Sequence, residues 1–113
     1  MGLMSVAGEK VSLVLPYDLT AYRIDPDTGY VHCRVYWYPR GGEPVVVEDD
    51  YLNGGPALLC GVEQLLGDLG IEQTDRLALW VCDTVNAQLV QRPYAVLQCP
   101  HGRARLELIE VSP

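Results

Sequence analysis

Apolar and polar side chains alternate along the segment from Tyr30 to Tyr38. Successive side chains of a β-strand point to opposite faces, so this alternation predicts a strand with one buried face. The face expected to lie in the core carries the apolar set Val31, Cys33, Val35 and Trp37. The polar face then carries Tyr30, His32, Arg34, Tyr36 and Tyr38.

A turn signal comes directly before this strand. The segment Asp25–Gly29 combines a proline that presets φ, two aspartates whose side chains accept backbone N–H groups, and a glycine that allows positive φ. These features predict a β-hairpin whose first strand is Thr20–Ile24. Pairing across the turn would place Tyr22 opposite His32, on the polar face of the hairpin.

Short apolar runs predict the remaining strands. The run from residue 77 to residue 82 is continuously apolar, which is typical of a central strand. Proline and glycine residues bound most of the other runs. The predicted strands are Val11–Leu15, Pro44–Glu48, Leu77–Cys82, Gln88–Arg92, Tyr94–Cys99 and Ala104–Val111.

The hydrophobic period changes to that of a helix after Pro56, a residue suited to the first helical position. One helical face then carries Leu58, Leu59, Val62, Leu65, Leu66 and Leu69. Gly70 supplies a C-terminal stop, so a helix is predicted over about residues 56–69. Gly61 and Gly67 each cost this helix about 1 kcal/mol relative to alanine, which indicates either a close neighbour that requires glycine or a weak helix.

Strands on both sides of one principal helix, without regular β-α-β alternation, indicate an α+β fold. The sheet is expected to be mainly antiparallel, with the helix packed on one face. The 113 residues suit a single domain covering residues 1–113, and residues 1–9 are expected to form a loose N-terminal end.

Charge narrows the kinds of partner that the chain can have. The formal net charge is −7, from 15 acidic and 8 basic residues. Phosphate groups repel such a chain, which argues against direct binding to nucleic acid or to an anionic membrane. The sequence shows no apolar run of about 18 residues and no secretory signal, so a cytoplasmic location is expected.

No familiar catalytic or metal-binding pattern occurs in the sequence. The four cysteines are scattered through the sequence and lack the close spacing of metal ligands. Cys99 is close to His101 in the sequence, but the two residues belong to a predicted turn. Asp25, Asp27 and Gly29 resemble the start of a calcium loop, but no late glutamate follows at the required spacing. We therefore predict no catalytic residue, no metal ligand, no cofactor and cysteines that remain free thiols.

Tyrosine usage is the most informative part of the composition. The chain has seven tyrosines and two tryptophans but no phenylalanine, and six of the tyrosines lie between residues 17 and 51. Aromatic rings with a polar group suit half-exposed positions, and tyrosine and arginine dominate the energetics of protein contacts. We predict a binding surface, here called the tyrosine stripe, formed by Tyr22, Tyr30, His32, Arg34, Tyr36 and Tyr38. Ordinary cross-strand packing beneath a loop or hairpin is the alternative.

The densest acidic cluster contains Glu48, Asp49 and Asp50. It predicts either a solvated loop or a docking site for a basic protein. The function that these features favour is that of a small binding module, such as an adaptor, an inhibitor or an immunity-type accessory protein, whose partner is another protein or a second copy of the chain. Two alternatives stay open: a small-ligand binder or enzyme with a dispersed site between helix and sheet, and a mimic of nucleic acid.

Overall fold

A computed structural model describes residues 21–53, 58–89 and 91–111 of the chain. The elements are β1 (Tyr30–Pro39), β2 (Val45–Asn53), α1 (Leu58–Asp68), α2 (Asp75–Leu89), β3 (Tyr94–Cys99) and β4 (Gly102–Leu108). The four strands form one antiparallel sheet in the order β2-β1-β4-β3, which confirms the α+β class and the antiparallel sheet. No helix of these residues is long and apolar enough to cross a membrane.

Both helices pack on the same face of the sheet. The buried cluster joins Leu65 of α1 and Val81 of α2 to the inward side chains of the strands, among them Leu106. In β1 the inward side chains Val31, Cys33, Val35 and Trp37 are at most 3% exposed. This confirms the face that alternation assigns to the core.

The second helix corrects the sequence analysis, which predicts one principal helix and strands at Leu77–Cys82 and Gln88–Arg92. The first of these segments lies wholly within α2, and the second begins in its last turn. Thr74 precedes the helix, and its hydroxyl accepts the N–H of Leu77 at 3.1 Å, as an N-terminal cap does. The buried side chains recur at helical spacing: Ala78, Val81, Cys82, Val85 and Leu89.

The turn Asp25–Gly29 forms as predicted. The Oδ1 atom of Asp25 accepts the N–H of Asp27 at 2.7 Å and that of Thr28 at 3.3 Å, and Gly29 has a φ of 77°. The strand predicted before the turn is reduced to two isolated bridges. Three other predictions lie outside the described residues: the loose end at 1–9, the strand at 11–15 and the placement of Pro56 at the start of the helix.

A β-bulge in β2 brings two successive residues into the core. Val31 pairs with Leu52 and His32 pairs with Asp50, so Tyr51 is the additional residue. Both Tyr51 and Leu52 are fully buried. On both sides of the bulge the side chains alternate between the two faces of the sheet. Asp50 therefore lies on the face opposite the helices.

Helix α1 crosses this bulge at very close range. A Cβ atom on Gly61 would lie only 1.4 Å from the carbonyl oxygen of Tyr51. A Cβ on Gly67 would approach no closer than 3.1 Å, to the side chain of Gln73. Of the two explanations for glycine in this helix, the close neighbour therefore holds for Gly61. The hydroxyl of Tyr51 also donates a 2.7 Å hydrogen bond to Asp68 at the end of α1.

A side chain of α2 covers part of the outer edge of β3. The amide of Gln88 donates to the carbonyl of Val96 at 2.7 Å and accepts the N–H of Val96 at 2.9 Å. Arg92 hydrogen-bonds the same amide and donates to the carbonyl of Tyr94 at 3.2 Å. Gln88 thus satisfies backbone groups that a further strand would otherwise bond.

Candidate functional site

The face of the sheet that points away from the helices carries five members of the tyrosine stripe. These residues alternate with the buried residues of β1: Tyr30, His32, Arg34, Tyr36 and Tyr38. The side chain of Tyr38 is 43% exposed, and the other four are partly exposed. Among the described residues no helix covers this surface, which we call the open face.

Cross-strand pairing extends the open face over all four strands. In strand order, one row contains Glu48, Arg34, Glu107 and Tyr94. The next row contains Val46, Tyr36, Arg105 and Val96. A third contains Tyr38, Arg103 and Gln98. Each row therefore mixes charged or aromatic groups of the central strands with flanking groups of the outer strands.

An ion-pair network joins β1 to β2 on the open face. The Nε atom of Arg34 lies 2.5 Å from Glu48, and His32 lies 2.9 Å from Asp50 and 3.5 Å from Glu48. The hydrogen bond from Arg34 lowers the pKa of Glu48, and the same contact raises the pKa of Arg34. These contacts hold the outward side chains of β1 in place rather than leaving them to sample many rotamers.

Arginine–aromatic contacts organise the other half of the open face. The guanidinium of Arg105 lies 4.1 Å from the ring centre of Tyr94, and that of Arg92 lies 4.4 Å from the same ring. Arg103 stacks 4.9 Å from the ring of Tyr38. Arg105 also bonds Glu107 at 2.6 Å, and this contact raises the pKa of the arginine. The result is an ordered surface of rings and guanidinium groups.

The sequence analysis expects Tyr22 on the open face, but the structure places this residue elsewhere. Its bridge partner is Glu110 rather than His32, because the bridge next to the turn joins Ile24 to Val31. The ring packs against the buried cluster, and burial together with the Glu110 carboxylate raises its pKa. The tyrosine stripe of the folded chain therefore has five members, and its role in binding stays a prediction.

The acidic cluster lies within β2 rather than in a loop. Glu48 contacts Arg34, Asp50 contacts His32, and Asp49 accepts a 3.2 Å hydrogen bond from Gln64 of α1. All three carboxylates thus have partners within the chain, and a basic partner would have to compete with them. Docking of such a partner stays a prediction.

Sequence reasoning missed the contribution of β3 and β4 to this surface. Arg103, Arg105 and Glu107 alternate with the buried Ala104 and Leu106. That period of two is visible in the sequence and could have identified these residues by the argument used for β1. The sequence does not predict that Tyr94 belongs to this surface, because only the pairing of β3 with β4 brings its ring to the arginines.

No known protein family, characterised protein or solved structure matches this chain. The contacts of its own residues therefore carry the functional argument.

The space between helices and sheet does not favour the small-ligand alternative. The gap there measures about 10 Å³ and is lined by apolar side chains such as Trp37, Leu66 and Leu97. Ligand sites commonly measure about 300 Å³ or more and carry a few convergent polar groups. His32 instead lines an open hollow of about 380 Å³ beside the Asp25–Asp27 turn, where its ring already bonds Asp50.

Two thiols belong to the core rather than to a reactive site. Cys33 and Cys82 are fully buried, and burial raises the pKa of each thiol to about 12. Both therefore stay protonated near neutral pH, which makes them poor nucleophiles. Within the described ranges no three His, Cys, Asp or Glu side chains cluster as metal ligands would.

Proposed function

We propose that this chain is a protein-binding module and that the open face is its contact surface. The observation that carries the proposal is the concentration of partly exposed tyrosine and arginine side chains in register on one sheet face. These are the residue types enriched where protein contacts contribute most binding energy. Because the side chains are already ordered by contacts with each other, less conformational entropy is lost when a partner binds.

The charge of the open face supports a protein partner. The three outward arginines of its strands, Arg34, Arg103 and Arg105, balance the three outward carboxylates of the same sheet, Glu48, Asp50 and Glu107. The chain as a whole carries a net charge of −7, so the excess negative charge lies elsewhere. A neutral, amphipathic patch on an acidic body suits a protein surface better than a polyphosphate.

A cytoplasmic location is part of this proposal. The described cysteines Cys33, Cys82 and Cys99 are free thiols, which suits a reducing compartment.

Affinity capture with matched variants tests the binding proposal. Tagged wild-type chain, Tyr36→Ala, Arg105→Ala and Arg76→Ala are used to capture proteins from an extract of the source organism. Arg76 is an exposed arginine of α2 on the helical side, so its variant is the matched control. Each protein captured in stoichiometric amount is purified, and its Kd is measured against all four chains.

The expected result is a partner that binds the wild type and Arg76→Ala equally. Both open-face variants should bind it at least about tenfold more weakly, since central tyrosine and arginine side chains commonly contribute that much. Equal affinity for all four chains, or weakening by Arg76→Ala alone, would refute the open face as the contact surface.

A further inference from the structure

The open face is complementary to itself. Consider two copies whose open faces meet about a two-fold axis that runs parallel to the strands, between β1 and β4. Each residue of β1 in one copy then lies over a residue of β4 in the other copy, namely the residue with which it pairs in its own sheet. The register supplies three such pairs: Arg34 with Glu107, Tyr36 with Arg105 and Tyr38 with Arg103. Each pair joins groups that attract one another, either opposite charges or a guanidinium and an aromatic ring.

In each of the three rows, the β1 and β4 residues of one copy therefore face groups of the second copy that attract them. Glu107 of the second copy lies over Arg34, and its Arg105 lies over Tyr36. In the outer strands Val46, which is 58% exposed, lies over Val96 of the second copy. Between β1 and β4 the charged groups thus face opposite charges or rings, and in the outer strands the apolar Val46 faces the apolar Val96.

We propose that the partner of the open face is a second copy of this chain, docked face to face about this two-fold axis. The inference rests on the proposed function, because it names the partner of the same surface. Sheets that pack face to face lie about 10 Å apart with strands inclined by about 30°, so the residues of β1 and β4, which lie nearest the axis, should superpose best.

The distribution of charge is compatible with such a dimer. Two acidic chains repel each other, but the paired strands that meet carry balanced charge, because Arg34, Arg103 and Arg105 offset Glu48, Asp50 and Glu107. The net charge of −7 therefore comes from other parts of the chain. Salt bridges across the interface would be partly exposed at its rim, so high salt should weaken the dimer.

The area of contact sets the expected strength. Measured between backbone centres, the four strands span about 14 Å, and the rows from Arg34 to Tyr38 span about 14 Å along the strands; side chains at the margins extend the contact beyond these limits. Each copy therefore contributes several hundred Å², below the roughly 800 Å² per partner of a standard interface. We expect a weak dimer, with a dissociation constant in the micromolar range.

A charge-exchange experiment tests the geometry of the dimer. Arg34→Glu leaves two acidic groups at the Arg34–Glu107 position, and Glu107→Arg leaves two basic groups there. Each variant should pair with itself more weakly than the wild type does, because like charges then meet across the axis. An equimolar mixture should form a heterodimer, because each copy then presents the charges that the other lacks. Arg76→Glu serves as the matched charge control, and circular dichroism confirms that each variant is folded.

Sedimentation velocity over a concentration series gives the readout. Each single variant should dimerise at least about tenfold more weakly than wild type, and the mixture should recover most of the wild-type affinity. Arg76→Glu should dimerise like the wild type. A wild type that stays monomeric up to about 1 mM would overturn the inference. So would single variants that dimerise normally, or folded variants whose mixture stays monomeric.

Failure of this inference is distinguishable from failure of the proposed function. If the wild type is monomeric but a captured partner still depends on Tyr36 and Arg105, the second copy is the wrong partner and the open face remains a binding surface. If dimerisation does not depend on Arg34 and Glu107, and capture does not depend on Tyr36 and Arg105, both proposals fail.

Discussion

The two faces of the sheet are built from the same strands by different means. On the covered face, β1 and β4 contribute aliphatic side chains, a tryptophan and a thiol that two helices seal from water. On the open face the same strands contribute rings and charged groups that contact one another across the strands. Burial of apolar area stabilises the first surface, whereas exposed ion pairs contribute little to stability. The comparison indicates that the fold does not need the side-chain contacts of the open face for its stability.

The sharpest way to break this comparison is to truncate neighbouring residues of β1. Trp37 faces the helices and is 3% exposed, whereas Tyr36 lies on the open face. Trp37→Ala should lower the free energy of unfolding by about 3–5 kcal/mol because it leaves a large cavity. Tyr36→Ala should lower it by less than about 1 kcal/mol. Urea denaturation measures both values, and a similar loss for the two variants would show that the open face is part of the folding core.

Glycine substitutions in α1 make the same comparison within the helical layer. Gly61→Ala should lower the free energy of unfolding by about 2–3 kcal/mol, because its new methyl group collides with the backbone of Tyr51. Gly67→Ala is the control: its methyl group meets only the mobile end of Gln73, and better helix propensity should stabilise the protein by about 0.5–1 kcal/mol. Thermal unfolding of both variants decides the matter, and an unaffected Gly61→Ala would contradict the close crossing.

Alkaline pH should weaken the covered face selectively. Burial raises the pKa of Cys33 and Cys82 to about 12 and also raises that of Tyr51. Above about pH 8.5 the unfolded chain loses thiol protons that the folded chain keeps, so stability is full below that pH and falls as pH rises toward 12. The loss should be on the order of 2 kcal/mol for each thiol by pH 10.

Urea denaturation at several pH values gives this slope. The double variant Cys33→Ala, Cys82→Ala is the control, and its stability should depend less on pH over the same range. An equal slope in the wild type and in the double variant would show that the two thiols are not the cause.

The smallest effect is expected at the ion pair of the open face. Glu48→Gln removes the charge that Arg34 contacts, yet the free energy of unfolding should not change measurably, because both groups are exposed. Thermal unfolding in low and high salt should give the same difference between variant and wild type. A clear destabilisation that salt removes would indicate that this network serves folding after all.

The parts of the fold that the sequence predicts are those with a strong local signal. The alternation in β1 correctly predicts that Trp37 faces the core. The turn at Asp25 and the start of β3 at Tyr94 also lie where the sequence predicts them. The strand predicted at Leu77–Cys82 is wrong because a short apolar run cannot by itself distinguish a buried strand from a buried helix such as α2. The cap at Thr74 and the later buried Val85 and Leu89 carry the helical signal in a longer window.

The candidate site was predictable along a strand but not between strands. Alternation places Arg34 and Tyr36 on one face of β1, and the open face contains them as expected. Tyr22 was misplaced because its bridge partner, Glu110, lies at the far end of the chain. Neither that pairing nor the stacking of Arg105 on Tyr94 has a local signature in the sequence. Both depend on the strand order, which tertiary packing sets.

The hydrogen bonds between Gln88 and Val96 have a consequence for the number of copies that can join. A folded sheet can build a continuous fibre only if each molecule offers two pairing edges, one to the molecule before it and one to the molecule after it. In this chain the amide of Gln88 occupies the β3 edge at Val96 as a single residue of an additional strand would. These two hydrogen bonds occupy the outward N–H and carbonyl of Val96, so one glutamine side chain opposes edge-to-edge growth at this position.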